Sequence, residues 1–254
     1  MSVIDEKQEA IACIRMAVDN DNLARLHSDA PGPDNEDIDL QHHQLGSPDG
    51  KKSNLRVMSA ELGKVREEYR SLDEKVRDFV ATQMPEEALR YEEDIHVSLH
   101  LELIYIFYVA QIQRYQCISL KYQSKVDWTA TKDIMRCNPN FHGQTRFDCV
   151  IIHDDAPGIT CARLNGLLRC WLPSGNVLDL ALVLGFTPSK WKPRTLWQGC
   201  RILDEDSNGD SYLVRMDYLL RGALICPVSE QDGERTYYFI DTVDSDMFLR
   251  ENFY

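Results

Sequence analysis

The stretch ITCARLNGLLRCWLPSGNVLDLALVLGF (residues 159–186) decides the fold. Two apolar runs flank Pro173, Ser174, Gly175 and Asn176, and turn residues between two such runs predict a pair of strands joined by a short connection. Working outward, the same grammar recurs in FDCVIIH (147–153), GCRILDE (199–205), SYLVRMDYLLRGALICPV (211–228) and TYYFIDTVD (236–244). The links between them are DDAPG, DSNGD and SEQDGE. Upstream, QCISLKY (116–122) alternates Cys117, Ser119 and Lys121 against Ile118, Leu120 and Tyr122, the period of a strand. VDWTATKDIMRC (126–137) reads as a short helix capped near Asp127 or Thr129. Many short strands at this spacing predict a closed or nearly closed antiparallel barrel of about five to seven strands. Its span is about 112–254.

The preceding residues look helical. Ile4, Ile11, Ile14, Ala17 and Leu23 suit a short amphipathic helix within 1–27. Residues 28–54 combine Pro, Gly, Ser and acids with few apolar anchors, so they read as an acidic flexible linker. Met58, Leu62, Val65, Tyr69, Leu72, Val76 and Phe79 then follow at spacings of 4, 3, 4, 3, 4 and 3. That is one seam on a helix from about 56 to 83, within a helical region at 55–111. Three heptads allow a coiled coil, but a helix packed on its own domain is favoured, because short coiled coils are marginal alone. The expected class is α+β, a helical N-terminal region followed by a small antiparallel β-barrel.

Of the 254 residues 43% are apolar and 27% charged, which is ordinary globular usage. A net charge of −13 disfavours nucleic-acid binding by this chain alone, since phosphate contacts need clustered Lys and Arg. The eight cysteines are scattered without a C-x-x-C pair, and the chain opens on charge rather than a signal sequence. Both point to reduced thiols in an intracellular protein, nuclear or cytoplasmic. The longest apolar run, LELIYIFYVA (101–110), falls short of the roughly 20 residues that span a bilayer, so a soluble protein without a membrane segment is expected.

No complete active site is visible. DIMRCNPNFHGQTRFDC (133–149) gathers Cys137, His142, Asp148 and Cys149, but lacks the paired ligands of structural zinc. Cys137 or Cys161 near His142 or His153 would be a nucleophile only with an orienting third group. In DEDSNGDSYLVR (204–215), Asp204, Asp206, Asn208 and Gly209 match an EF-hand loop, yet Arg215 replaces the bidentate acid and a hairpin loop explains the same residues. Asp241, Asp244 and Asp246 have no fixed separation that would make them a hydrolytic pair. No catalytic, metal or cofactor residue is therefore expected. Trp171, Trp191, Trp197 and Phe186, near the barrel loops, are the candidates for binding a partner, although core filling is the default for such aromatics.

VDWTATKDIMRCNPNFHGQTRFDCVIIH, ARLNGLLRCWLPSGNVLDLALV, WKPRTLWQGC, DYLLRGALICPV and DTVDSDMFLR together resemble the C-terminal segment of mushroom-type fungal transposable-element proteins of the Plavaka and Kyakuja–Dileera–Zisupton kind. The likeness covers roughly 44–254 and lacks the transposase core. HVSLHLELIYIFYVAQ (96–111) stands out as an insertion. The strand layout is also weakly similar to bromo-adjacent-homology modules, which bind chromatin or protein partners; this is a fold-level analogy. The expected function is that of a non-catalytic protein-interaction module derived from such an element and chromatin- or transposase-associated, and the packed seam helix makes a monomer the expectation. The alternative is an enzyme, a transposase-related nuclease fragment or a Cys-dependent hydrolase.

Overall fold

A computed structural model describes residues 42–85, 110–153, 160–190, 201–206, 210–231 and 234–252, all within one compact unit, Gln41–Tyr254. The opening stretch forms the two strands expected of it, β8 (Thr160–Trp171) and β9 (Val177–Pro188), paired from Cys161–Phe186 to Trp171–Val177. Leu172 N–H donates to Asn176 O and Gly175 N–H to Leu172 O, and Gly175 takes φ +91° in the turn. Unlike a half-exposed antiparallel pair, β8 and β9 are apolar on both faces because both faces are covered.

β7 (Cys149–Ile152) and β3 (Gln111–Tyr115) share the outer side of β8, end to end. β10 (Arg201–Glu205) and β11 (Tyr212–Arg215) share the outer side of β9 in the same way. β2 (Pro48–Asn54) extends β3, and β14 (Glu234–Phe239) extends β10. The main path ends on β12 (Leu219–Ala223), beside β7, and on β13 (Ile225–Gln231), beside β14. Only Leu224 separates those two strands, so the curled, half-barrel-like sheet returns on itself. A second sheet, in order β1 (His43–Leu45), β4 (Cys117–Gln123), β5 (Ala130–Phe141) and β6 (Gln144–Phe147), lies over one face of β8–β9. Its Ile118, Leu120, Met135 and Cys137 meet Ala162, Leu164, Leu167, Ala181 and Val183. His43 Nε2, on β1, lies 3.1 Å from Asp179 Oδ2 on β9.

The other face divides. Toward β7 and β10 it encloses Ile151, Cys161, Phe186, Leu203, Tyr237 and Phe239, with Met247 of α3 (Ser245–Asn252) among them. Toward β3 and β11 it is covered by α1 (Leu55–Leu62) and α2 (Leu72–Gln83). Asn54 caps α1 by accepting from Arg56 N and Val57 N, and Ser59 Oγ donates to Asp73 Oδ1 to join the two helices.

The α+β expectation is overturned. Of the described residues 56% are in strands and 22% helical, with three α-helices, and β1 and β2 precede the first of them. The described chain is mostly β, and its helices form a layer on the sheet rather than a separate leading region. Residues 43–54, expected to be linker, form β1 and β2; the helix expected within 1–27 and residues 96–109 of the insertion expected at 96–111 lie outside the described residues, and Gln111 opens β3. The single helix expected at 56–83 is two. The chain leaves α-helical geometry between Gly63 and Ser71, where Glu67–Tyr69 make a single 3-10 turn, and Val65, a seam residue, is 82% exposed. Met58, Tyr69, Leu72 and Val76 remain buried against β3, β8 and β9 within the same chain.

The cause of that break is a β-bulge between Leu164 and Gly166. The bulge turns the Asn165 carbonyl out of the ladder, where it accepts from Arg66 Nη2 at 2.8 Å and Tyr69 Oη at 3.2 Å. The Arg66 guanidinium sits 4.8 Å from the centroids of both Tyr69 and Phe147. Satisfying one buried carbonyl thus draws 63–71 into an irregular connection.

Candidate functional site

The residues expected to carry chemistry are dispersed. Cys137 is buried on β5, where burial pushes its thiol up to about 12. Cys149 is half-buried on β7, and burial raises it to about 11, against the opposing pull of Arg163. His142 is exposed at the β5–β6 turn, and Asp148 accepts from Arg136 N and Arg146 Nε. Among the described residues no group of three or more His, Cys, Asp or Glu is placed to hold a metal ion. Asp204 and Arg215 are not two arms of a hairpin: β10 and β11 both pair with β9, and Arg215 is engaged by Asp217. No helix among the described residues is long and apolar enough to cross a membrane.

Of the four aromatics expected to bind a partner, Phe186 is a core residue. It is buried against Tyr237 at 5.2 Å between centroids, because β9 turns it into the enclosed face. Trp171 is half-buried, and its ring carries Lys52 Nζ at 3.7 Å. Trp191 and Trp197 lie outside the described residues.

Trp128, which the sequence pattern assigned to a helix, is in a different position. Residues 124–129 are a closed loop between β4 and β5, a single turn that does not continue into a helix. Ser124 N–H donates to Thr129 O at 2.9 Å and Trp128 N–H to Ser124 O at 3.0 Å. Asp127 Oδ1 accepts from Thr129 N and Oγ1, Val126 N–H donates to Ser124 Oγ, and Gln123 Nε2 donates to Trp128 O. These bonds hold Trp128 at φ +59°, a conformation costly for an aromatic residue. They leave Val126 48% and Trp128 49% exposed.

A charge network, buried at Arg221, Asp246 and Arg250 and exposed at Asp244, fixes the loop from behind. Asp246, in the first turn of α3, accepts from Lys125 N at 2.6 Å, from Arg221 Nη1 at 2.6 Å and from Arg250 Nε at 2.7 Å. Asp244 binds Arg221 through both carboxylate oxygens and caps α3 by accepting from Met247 N. Arg250 Nη2 donates to Gln123 O, and the Tyr122 ring lies 4.8 Å from the Arg221 guanidinium carbon and 5.3 Å from that of Arg250. Asp133 Oδ2 accepts from Gly222 N. Burial alone raises Asp244 and Asp246, but their bonds to Arg221, Arg250 and backbone N–H groups outweigh it and hold both below the usual carboxylate range. Every charge in this network has a partner within it, so the network acts as a scaffold beneath the exposed Trp128.

No family model, curated protein or solved structure matches the chain.

Proposed function

We propose that the protein is a non-catalytic protein-interaction module whose partner seats on Trp128 and Val126. The observation that carries this is the bonded loop 124–129, which spends backbone strain to present an aromatic and an aliphatic side chain to solvent. A loop already fixed by its own hydrogen bonds loses little conformational entropy on association. Exposed tryptophan is the residue type most enriched among side chains that dominate binding energy. Both candidate nucleophiles, Cys137 and Cys161, are buried, and burial pushes the Cys137 thiol away from the thiolate form, the opposite of what a Cys-dependent hydrolase needs.

The test is site-specific photocrosslinking in cells expressing the full chain. A benzophenone side chain at Val126 is expected to give discrete protein adducts that disappear in the Trp128→Ala background. The same probe at Val177, exposed to a similar degree on β9, is expected to give none of them. For a partner identified this way, Trp128→Ala should weaken binding by roughly tenfold or more while leaving the melting temperature almost unchanged. Adducts indifferent to Trp128, or common to both probe positions, would sink the proposal.

A further inference from the structure

The opposite end of β5 carries a second surface of contrary charge. Residues 134–147, IMRCNPNFHGQTRF, contain no Asp or Glu, in a chain with 41 of them and a net charge of −13. They form most of the β5–β6 hairpin, closed by His142 and Gly143 at φ +52° and +82°, the two positive values of a rigid two-residue turn. Phe141 lies at its tip, with Arg136 at 5.0 Å and Arg146 at 5.3 Å from its ring centroid and His142 edge-on at 4.4 Å. Arg146 Nε is 2.9 Å from Asp148 Oδ1, and among the described residues Arg136 has no ion pair. β6 is the outermost strand of its sheet, exposed at Gln144, Thr145 and Arg146, and no described strand pairs with its outer side.

An unpaired strand edge offers backbone donors and acceptors to an extended chain, and side chains beside it choose which chain. We propose that the outer edge of β6, with Arg136 and Arg146 held on Phe141, docks an extended segment of a partner protein that carries Asp or Glu at alternate positions. The segment adds as a further strand, and its carboxylates face the two arginines. Stacking on Phe141 restricts both arginines before they bind, and a planar guanidinium suits a carboxylate bidentately. A nucleic acid fits less well. Its affinity scales with the number of phosphates neutralised, the hairpin supplies two arginines, and a strand edge has no use for a phosphodiester backbone. The proposal shares with the Trp128 reading only the premise of a protein partner, since at least six residues of β5, roughly 20 Å of strand, separate Ala130 beside the Trp128 loop from Arg136.

The probe is a fluorescein-labelled dodecapeptide alternating Glu with Val and Thr, titrated with the full chain and followed by anisotropy. Its counterpart with Gln for Glu should bind at least about tenfold more weakly. Arg136→Gln combined with Arg146→Gln should produce a similar loss and flatten the salt dependence. Thr145→Pro should weaken binding by obstructing the edge, with the unfolding curve of each variant recorded alongside. Trp128→Ala should leave the titration unchanged, so that failure here and failure of the Trp128 reading are told apart. Equal binding of the Glu and Gln peptides, no binding of either, tighter binding of an oligothymidylate of similar length, or insensitivity to the double Arg replacement in a folded variant would each overturn the proposal.

Discussion

At Gly166 a Cβ would lie 2.6 Å from Tyr69 Oη, 3.1 Å from Tyr69 Cζ and 3.2 Å from Leu182 Cβ. Tyr69 cannot swing away freely, because its hydroxyl donates to Asn165 O and it is buried beneath α1 and α2. Gly166→Ala is therefore expected to lower stability by roughly 1–3 kcal/mol, as overpacking does, measured by urea unfolding. Val or Ile there should be worse. A second residue-scale consequence concerns acid. Burial by itself raises Asp179, but the bidentate Arg169 and nearby His43 outweigh it and bring its pKa from 3.8 to about 2. A depressed folded-state pKa stabilises the native form above the unfolded value, and that contribution fades as pH falls from about 4 toward 2. Allowing for solvent screening, it amounts to about 1–2 kcal/mol. The unfolding free-energy difference between the wild type and Asp179→Asn should accordingly be largest near pH 6 and shrink on acidification through that window. A difference independent of pH would show that the carboxylate's charge contributes nothing.

At the scale of the element, what local pattern encodes was legible and what tertiary contact imposes was not. β4, β7, β8, β9 and β14 were readable from apolar runs bounded by turn residues, since their own side chains supply the buried surface. β1 and β2 were not: HQL and PDGKKSN are polar and short, and they are strands only because β4 and β3 pair with them. Asp127 and Thr129 gave a helix-cap signal, but Asp127 caps a loop instead, and the β-branched Thr129, Thr131 and Ile134 then favour the extended chain of β5. Trp128 escaped notice because its exposure depends on that loop. Phe186 fills the core, the default for such an aromatic, because β9 is covered on both faces. The broken seam gives the check. Val65→Lys should leave stability within about 0.5 kcal/mol, whereas Leu72→Ala should cost roughly 2–4 kcal/mol. A continuous packed helix would penalise both, and a coiled-coil dimer would make the Leu72→Ala loss depend on protein concentration.

For the whole molecule the governing fact is that one hairpin serves three apolar interiors. Leu168, Cys170, Leu180 and Leu182 face the helices; Ala162, Leu164, Ala181 and Val183 face the small sheet; Cys161 and Phe186 face the enclosed side. Neither the helix pair nor the small sheet has a comparable apolar interior without β8–β9, so losing one layer exposes a face of the strands on which the other two depend. Such coupling favours a single transition for the described body, despite a size at which intermediates become common. Ile151→Ala, Leu164→Ala and Leu72→Ala each empty a fully buried site in a different interior. Each is expected to lower the same urea transition by roughly 2–5 kcal/mol, with far-ultraviolet and near-ultraviolet circular dichroism remaining superimposable. The alternative has a clear signature. If the helical layer were an independent unit, Leu72→Ala would split the curve, with an early phase losing helical signal and a late phase at the unperturbed midpoint. The bulge at Leu164–Gly166 argues against that split: Asn165 O accepts from Arg66 and Tyr69, and Asn165 Nδ2 donates to Ser211 Oγ, so β8, the helix connection and the segment entering β11 share one buried residue. Opening the helical layer would therefore leave that carbonyl unpaired at the centre of the sheet, a cost borne by every interior at once.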